Sequence, residues 1–192
     1  RKRITNVLTK EGYYKFNKDL VKFEVDSTIN PGRVDVTMYL HKYKDSNNSP
    51  ETNHRKYFIN KVNFISVNSE RIPLRPSVLQ NNTTIKEGDK YSADEVQNTY
   101  NNFSRLNAVR FTNIHFEENE KDGLLDCGIK VSTRKPNTIS FQPEGTNTEG
   151  DFGAAATLTY SNNNIFRGSE LFSVQFRGAY EAIKGLDGYQ NQ

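Results

Sequence analysis

His41, His54 and His115, the acidic run Glu117, Glu118, Glu120 and Asp122, and the single Cys127 are the side chains whose types could bind a metal, move a proton or attack an electrophile. Their spacing matches none of the arrangements such chemistry needs. The histidines are far apart, and none belongs to an HExxH pair that would put two ligands on one helix face. The chain contains no GxSxG elbow and no glycine loop able to wrap a phosphate. The acidic run would attract a cation, but it does not follow a calcium-loop pattern and reads as a solvated turn. His115, on a mixed strand, reads as structural. One cysteine cannot form an internal disulfide, and Cys127 falls in the alternation Leu125, Cys127, Ile129, Val131, where a thiol serves as a small core hydrophobe. The expectation is a protein that is not an enzyme, with no catalytic residue, no metal ligands and no cofactor.

The remaining chemistry belongs to the main chain and to the strands that present it. Phe152, Ala154, Ala156, Leu158 and Tyr160 alternate with Gly153, Ala155, Thr157, Thr159 and Ser161. Phe172, Val174, Phe176, Gly178, Tyr180 and Ala182 alternate with Leu171, Ser173, Gln175, Arg177, Ala179 and Glu181. Each run has about the ten residues that a tilted strand needs to cross a bilayer, with aromatics near both ends of its apolar face. A strand of a water-soluble sandwich shows the same period, so composition must decide. A sandwich core draws on Val, Ile and Leu, whereas these faces mix Ala, Gly and aromatics, and Arg177, Glu181 and Gln175 opposite them suit a wet lumen. No apolar run approaches the length of a transmembrane helix. The mean hydropathy of −0.81 does not bear on a barrel, whose strands bury only alternate residues in lipid.

Length and charge bound the rest. The 192 residues, 34% of them hydrophobic, suit one or two domains. Residues 1–135 hold 23 Lys and Arg against 17 Asp and Glu, and residues 136–192 hold 3 against 6, so a net +6 gives way to −3. Acids are interspersed with the basic residues, and Arg1, Lys2 and Arg3 form the one tight cluster, so the basic part reads as a solvated surface and not as a nucleic-acid site. The chain opens without an apolar leader core, which reads as a processed or internal N-terminus.

Along the chain, residues 4–11 predict a helix ended by Gly12, with Ile4, Val7 and Leu8 on one face. Val21, Phe23 and Val25 then alternate with Lys22, Glu24 and Asp26, Asn30-Pro31-Gly32 turns, and Val34, Val36, Met38 and Leu40 alternate again. Residues 44–55 are polar and read as a loop or linker. Residues 57–66 predict a strand with Ile59, Val62 and Phe64, and Pro76 starts a short helix, where its missing N–H is harmless. Ser92 and Glu95 have the spacing of a capping box for a longer helix whose buried stripe is Val96, Tyr100, Phe103 and Leu106. Val109 and Phe111 differ in parity from Ile114 and Phe116, which predicts a bulge near Thr112 and Asn113. Lys121-Asp122-Gly123 then turns the chain into a strand over residues 124–132.

Residues 57–132 thus read strand, helix, helix, strand, strand, and residues 4–42 read as the last three elements of the same unit. With Gly12-Tyr13-Tyr14, Pro31-Gly32-Arg33-Val34, Tyr57-Phe58-Ile59-Asn60-Lys61-Val62 and Gly88-Asp89-Lys90-Tyr91 at corresponding places, and amphipathic strands directly after, the chain resembles outer-membrane assembly proteins of the BamA/TamA type. The resemblance implies an α+β chain of tandem POTRA (β-α-α-β-β) repeats followed by the first antiparallel strands of a truncated transmembrane β-barrel. Residues 1–43 would be the C-terminal part of one POTRA domain, 44–55 a linker, 56–135 a complete POTRA domain and 136–192 the barrel start. Within the last, residues 139–147 would be the first barrel strand, 148–151 part of an outer loop, and 159–168 a short periplasmic turn. Three strands cannot close a membrane barrel, which needs about eight or more, so the sequence reads as ending early in the membrane domain.

The implied function rests on open sheet edges, whose free N–H and C=O groups accept an extended partner whatever its side chains. The resemblance puts the docking edge on the strand after the long helix: Arg110, Phe111, Thr112, Asn113, Ile114 and Phe116, and in the first unit Val21, Phe23 and Val25. It implies that the first barrel strand, with Ile139, Phe141, Pro143 and Gly145, unpairs to template a nascent barrel; Pro143 lacks a ladder donor and Gly145 loosens the strand. The implied partners are unfolded outer-membrane proteins, outer-membrane lipid and periplasmic or lipoprotein accessory subunits, but no nucleic acid. The implied location is the outer membrane, with residues 1–135 in the periplasm. Two other readings stay open: a dedicated secretion pore or barrel anchor of a fused lipase, and a soluble β-rich module that binds glycans or proteins.

Overall fold

The computed structural model describes residues 1–28, 32–44, 49–119, 123–148 and 151–182. They form three small sheets joined in chain order.

The first element, α1 (Lys2–Lys10), stops where Gly12 takes φ +102° and the Tyr13 N–H donates to the Leu8 carbonyl at 3.1 Å. This six-to-one bond satisfies a carbonyl that the helix end would leave open, and it needs a residue without Cβ at the reversal. Ile4 and Leu8 are half-buried, but Val7 is 59% exposed. The helix therefore does not bury the three-residue face its spacing predicted. It is held toward the next unit by ion pairs, Lys10–Asp94 at 2.8 Å and Lys90–Glu11 at 2.7 Å. Strands β1 (Val21–Asp26) and β2 (Asp35–Leu40) pair antiparallel with Phe23 opposite Met38 and Val25 opposite Val36. Two residues of the predicted turn, Asn30 and Pro31, lie outside the described residues; Gly32 has φ +80°. Of the two apolar sets only Val21 is buried, while Phe23, Val25, Val36, Met38 and Leu40 are exposed.

The second sheet holds the core. Strand β3 (Phe58–Ser66) runs parallel to β5 (Leu124–Thr133), and β4 (Val109–Glu118) is antiparallel to β5, giving the order β3-β5-β4. Because β5 is central, its odd residues Leu125, Cys127, Ile129 and Val131 are almost completely buried, under α2 (Pro76–Asn82) and α3 (Ala93–Ser104). A register shift between Ile59 and Lys61 explains how Ile59 and Val62, three residues apart, both face this core. Three differences from the sequence reading stand out. Ser92 is the N-cap of α3 but its hydroxyl makes no capping bond, and Asp94 and Glu95 in the first turn complement the helix N-terminus by charge instead. Thr99 is fully buried on α3, donating to the Glu95 carbonyl at 2.9 Å and accepting from the Thr84 N–H at 3.1 Å, which ties the helix to the chain that precedes it. The bulge in β4 falls between Val109 and Phe111, before the predicted place, so Arg110 drops out of register and Phe111 turns outward, 48% exposed. Finally, Lys121 and Asp122 of the predicted turn lie outside the described residues.

The third sheet is a meander of long strands, β6 (Asn137–Thr148), β7 (Asp151–Asn162) and β8 (Phe172–Ala182), in the order β6-β7-β8. The predicted first strand is lengthened at both ends. Thr148 and Asp151, assigned above to an outer loop, are paired with each other instead. Tyr160, Ser161 and Asn162, read as part of a turn, still belong to the ladder; the turn proper lies between Asn162 and Phe172. The cause is side-chain pairing at the strand end, where Asn137 accepts from Tyr160 Oη at 2.9 Å and from Asn162 Nδ2 at 2.7 Å.

Candidate functional site

The predicted edge residues Thr112, Asn113, Ile114 and Phe116 lie on β4, which among the described residues pairs only with β5. Its other side is a true sheet edge. Val21, Phe23 and Val25 lie on β1, likewise paired on one side only, with β2. The two edges belong to different sheets, and the structure does not join them into one surface.

One side chain that the sequence reading placed merely in a buried stripe reaches the β4 edge. The Ile114 N–H donates to Tyr100 Oη at 2.8 Å, and the Tyr100 hydroxyl comes within 3.5 Å of the Ile114 carbonyl. Beyond Phe116 the strand meets an aromatic cluster: Tyr14 packs edge-on against Tyr57, Tyr91 and Phe116 with ring centroids 5.0–5.7 Å apart, and Tyr91 against Phe116 at 5.3 Å. Burial pushes the Tyr91 phenol up to about 12 and raises that of Tyr14. Tyr14 carries the first unit into this cluster, and the Tyr57 N–H donates to the Gly12 carbonyl at 2.9 Å beside it.

On the third sheet the registers place Ile139, Phe141, Pro143 and Gly145 of β6 opposite Tyr160, Leu158, Ala156 and Ala154 of β7, which in turn face Val174, Phe176, Gly178 and Tyr180 of β8. These residues therefore share one face, and it is open: Ile139 is 72% exposed, Phe176 68% and Tyr180 73%. The other face carries Gln142, Glu144, Thr157, Thr159, Gln175 and Arg177, with Arg177 donating to Glu144 at 2.8 Å across β7. Pro143 stands inside the β6–β7 register opposite Ala156, so it does not interrupt the strand. The outer side of β6 is unpaired among the described residues.

The turn after β7 is built into the second unit. Ser169, with φ +67° and almost no exposure, accepts a hydrogen bond at its hydroxyl from the buried Ala108 N–H at 2.8 Å, and its carbonyl accepts from Asn107 Nδ2 at 3.1 Å. The Arg75 N–H donates to the Arg167 carbonyl at 2.8 Å, Asn164 Nδ2 to the Pro73 carbonyl at 2.7 Å, and Arg75 pairs with Glu170 at 2.9 Å. The backbone N–H groups around Glu170, helped by Arg75, hold its carboxyl below the ordinary carboxylate range. Sequence spacing carried no signal for this junction, because its bonds come from irregular backbone and single polar residues.

The side chains singled out for chemistry do not assemble into a site. Among the described residues no three of His, Cys, Asp or Glu come together to hold a metal. His54 Nε2 bonds the His41 carbonyl at 2.8 Å, and His115 lies over Gly128 in the second sheet. Glu118 pairs with Lys15 and, at 3.6 Å, with Arg55; Glu120 and Asp122 lie outside the described residues. Burial raises the Cys127 thiol to about 12, which keeps it protonated and inert.

No family model and no curated protein matches the chain. Among solved structures, BamA from Haemophilus ducreyi lacking POTRA domains 1–3 matches 94% of this chain and 30% of its own at a TM-score of 0.63 and 15% identity. The chain has a BamA-like fold. CdiB from Acinetobacter baumannii matches over 90% of this chain and 28% of its own, with a TM-score of 0.50 and 13% identity. BamA POTRA3-5 from Haemophilus influenzae matches over 68% and 45%, at 0.46 and 16%. The chain thus spans under a third of the length of the first two. The BamA-like fold accounts for the mixed α+β architecture and for small mixed units leading directly into long amphipathic strands.

Proposed function

We propose that the chain is the periplasmic POTRA and barrel-start portion of an outer-membrane protein assembly factor, which captures unfolded barrel proteins by strand addition. In this reading residues 1–43 belong to one POTRA domain, 56–135 form a complete one, both in the periplasm, and 136–192 begin a barrel in the outer membrane. The carrying observation is the third sheet, three strands of 11–12 residues whose large apolar side chains share one exposed face while Gln142, Glu144, Gln175 and Arg177 lie on the other. That division fits lipid on one side and a wet lumen on the other. The edges of β4 and β1 offer backbone groups to an extended client without reading its sequence, which suits partners that share only their β-strand habit. The outer side of β6, with Ile139, Phe141, Pro143 and Gly145, is the place for a nascent barrel strand to pair. The protein's work is binding and templating, without catalysis, alongside lipid and accessory subunits.

The test is a photoreactive residue placed singly at Asn113, Thr112 or Val25 of the full-length protein in its native outer membrane. Adducts with several different newly exported barrel proteins are expected. Adducts with a single exported protein would replace this reading by a dedicated secretion pore, and none at any position would refute edge capture.

A further inference from the structure

The Tyr100 hydroxyl lies across the middle of the edge to which the proposed function assigns client capture. In an antiparallel pair the N–H and C=O of one residue point the same way, and successive residues alternate between facing the partner strand and facing away. The Ile114 N–H is given to Tyr100 at 2.8 Å, so Ile114 faces away from β5, and the period of two puts the main-chain groups of Thr112 and Phe116 on the same outer side. The Tyr100 hydroxyl is within reach of both Ile114 groups, its donor at 2.8 Å and its carbonyl at 3.5 Å. It does at that point what a neighbouring strand would do. An extended client paired through Thr112 and Phe116 must take the Ile114 groups as well, because they lie between them, and it cannot do so while Tyr100 holds them. The latch is one residue wide, comes from a helix outside the sheet, and leaves the groups on either side without a strand partner among the described residues. These are the properties of a cover that can be exchanged, unlike a full strand.

We propose that Tyr100 is an exchangeable latch on the β4 edge, displaced from Ile114 by the main chain of the captured strand, and that it sets how readily the edge accepts one. The proposal rests on the reading of β4 as the capture edge. It explains how an exposed edge can serve transient clients without pairing with every extended chain it meets.

Tyr100→Phe keeps the ring and removes only the hydroxyl. In the full-length protein without client, the Ile114 amide should lose hydrogen-exchange protection while Asn113 and His115, bonded to β5, keep theirs. With a photoreactive residue at Asp126, on the neighbouring strand, as internal control and one at Asn113 as reporter, the initial rate of adduct formation with newly exported barrel proteins should rise roughly fivefold at Asn113. That is the factor that about 1 kcal/mol of released hydrogen bond makes, at about 1.4 kcal/mol per factor of ten. Unchanged Ile114 protection, or lost protection with an unchanged adduct rate, overturns the latch and leaves edge capture standing. No adducts at Asn113 in either protein refute the capture reading and the latch with it.

Discussion

Ser169 gives the sharpest test of how the second unit is held against the strands that follow. Its hydroxyl satisfies the Ala108 N–H at 2.8 Å, in a residue that is almost completely buried. With the hydroxyl gone and the turn still docked, that N–H is buried without a partner, at a cost of about 1–3 kcal/mol. The chain escapes the cost by undocking the turn and letting water in, so the undocking equilibrium should shift by roughly 5- to 150-fold. A distant reporter exists, because the Arg75 N–H is bonded at 2.8 Å to the Arg167 carbonyl only while the turn is docked. Hydrogen exchange at Arg75 in the full-length protein should therefore accelerate by that factor in Ser169→Ala. Ser169→Gly removes the same hydroxyl but relieves a left-handed residue at φ +67°, a relief of about 1 kcal/mol. Its Arg75 amide should exchange more slowly than that of the alanine variant. An Arg75 rate unchanged in both variants, or faster for glycine than for alanine, would refute this account of the junction.

Other consequences can be measured separately. A Cβ at Gly128 would overlap the His115 ring, so Gly128→Ala should cost about 1–3 kcal/mol and lower the melting temperature of residues 1–135 by roughly 4–8 °C per kcal/mol; adding His115→Ala should recover most of it, and additive losses would show that the ring does not set the limit. The Glu170 carboxyl is held below its ordinary range by bonds made only in the docked turn, so its contribution is complete above the unfolded pKa and is lost as pH falls through the folded one. Protection of Gly168, whose N–H donates to Glu170 at 2.9 Å, should accordingly fall on acidification past the usual carboxylate range, and Glu170→Gln should flatten that dependence. Leu158→Arg, on the apolar face, should destabilise the membrane-inserted protein by about 2–4 kcal/mol while Thr159→Arg, on the polar face, is tolerated; equal effects in detergent-free unfolding titrations of reconstituted protein would argue against a lipid-facing sheet.

Strand existence and the two faces of each strand were legible in the sequence because they depend on a period of two that survives any neighbour. The faces of β7 and β8 match the alternation residue by residue, and β1 begins and ends where the alternation of Val21, Phe23 and Val25 placed it. What could not be read depends on partners distant in sequence. The β4 bulge sits at Arg110, and not near Thr112, because its position is set by register against Ser132 and Thr133. The capping box has the right spacing, yet Ser92 makes no side-chain capping bond, because spacing alone does not fix the side-chain geometry that the bond needs. Thr99 stands outside the predicted stripe of Val96, Tyr100, Phe103 and Leu106, yet its hydroxyl is satisfied within the helix and from Thr84, which makes burial inexpensive. Tyr100 showed in the sequence only as bulk on an apolar stripe, while its part at the candidate site lies wholly in its hydroxyl.

The three sheets differ most in how their edges are covered, and that difference orders their availability to another chain. Strand β5 is paired on both sides and its groups are spent. Strand β4 is paired on one side and covered on the other at a single residue by a side-chain hydroxyl. The outer sides of β1 and β6 carry no strand among the described residues. An extended partner gains least where a covering group must first leave, so β4 should exchange a paired strand faster than an edge that carries no such cover. The junction built on Ser169 and Arg75 fixes the second unit to the turn that joins β7 to β8, so the edges of β4 and β6 have a defined relation in space. If Ser169→Ala loosens the junction as worked out above, the edge capture proposed for β4, measured by adducts at Asn113, should stay as it was; its loss would mean that the junction supports the fold of the second unit and does more than tie it to the strands that follow.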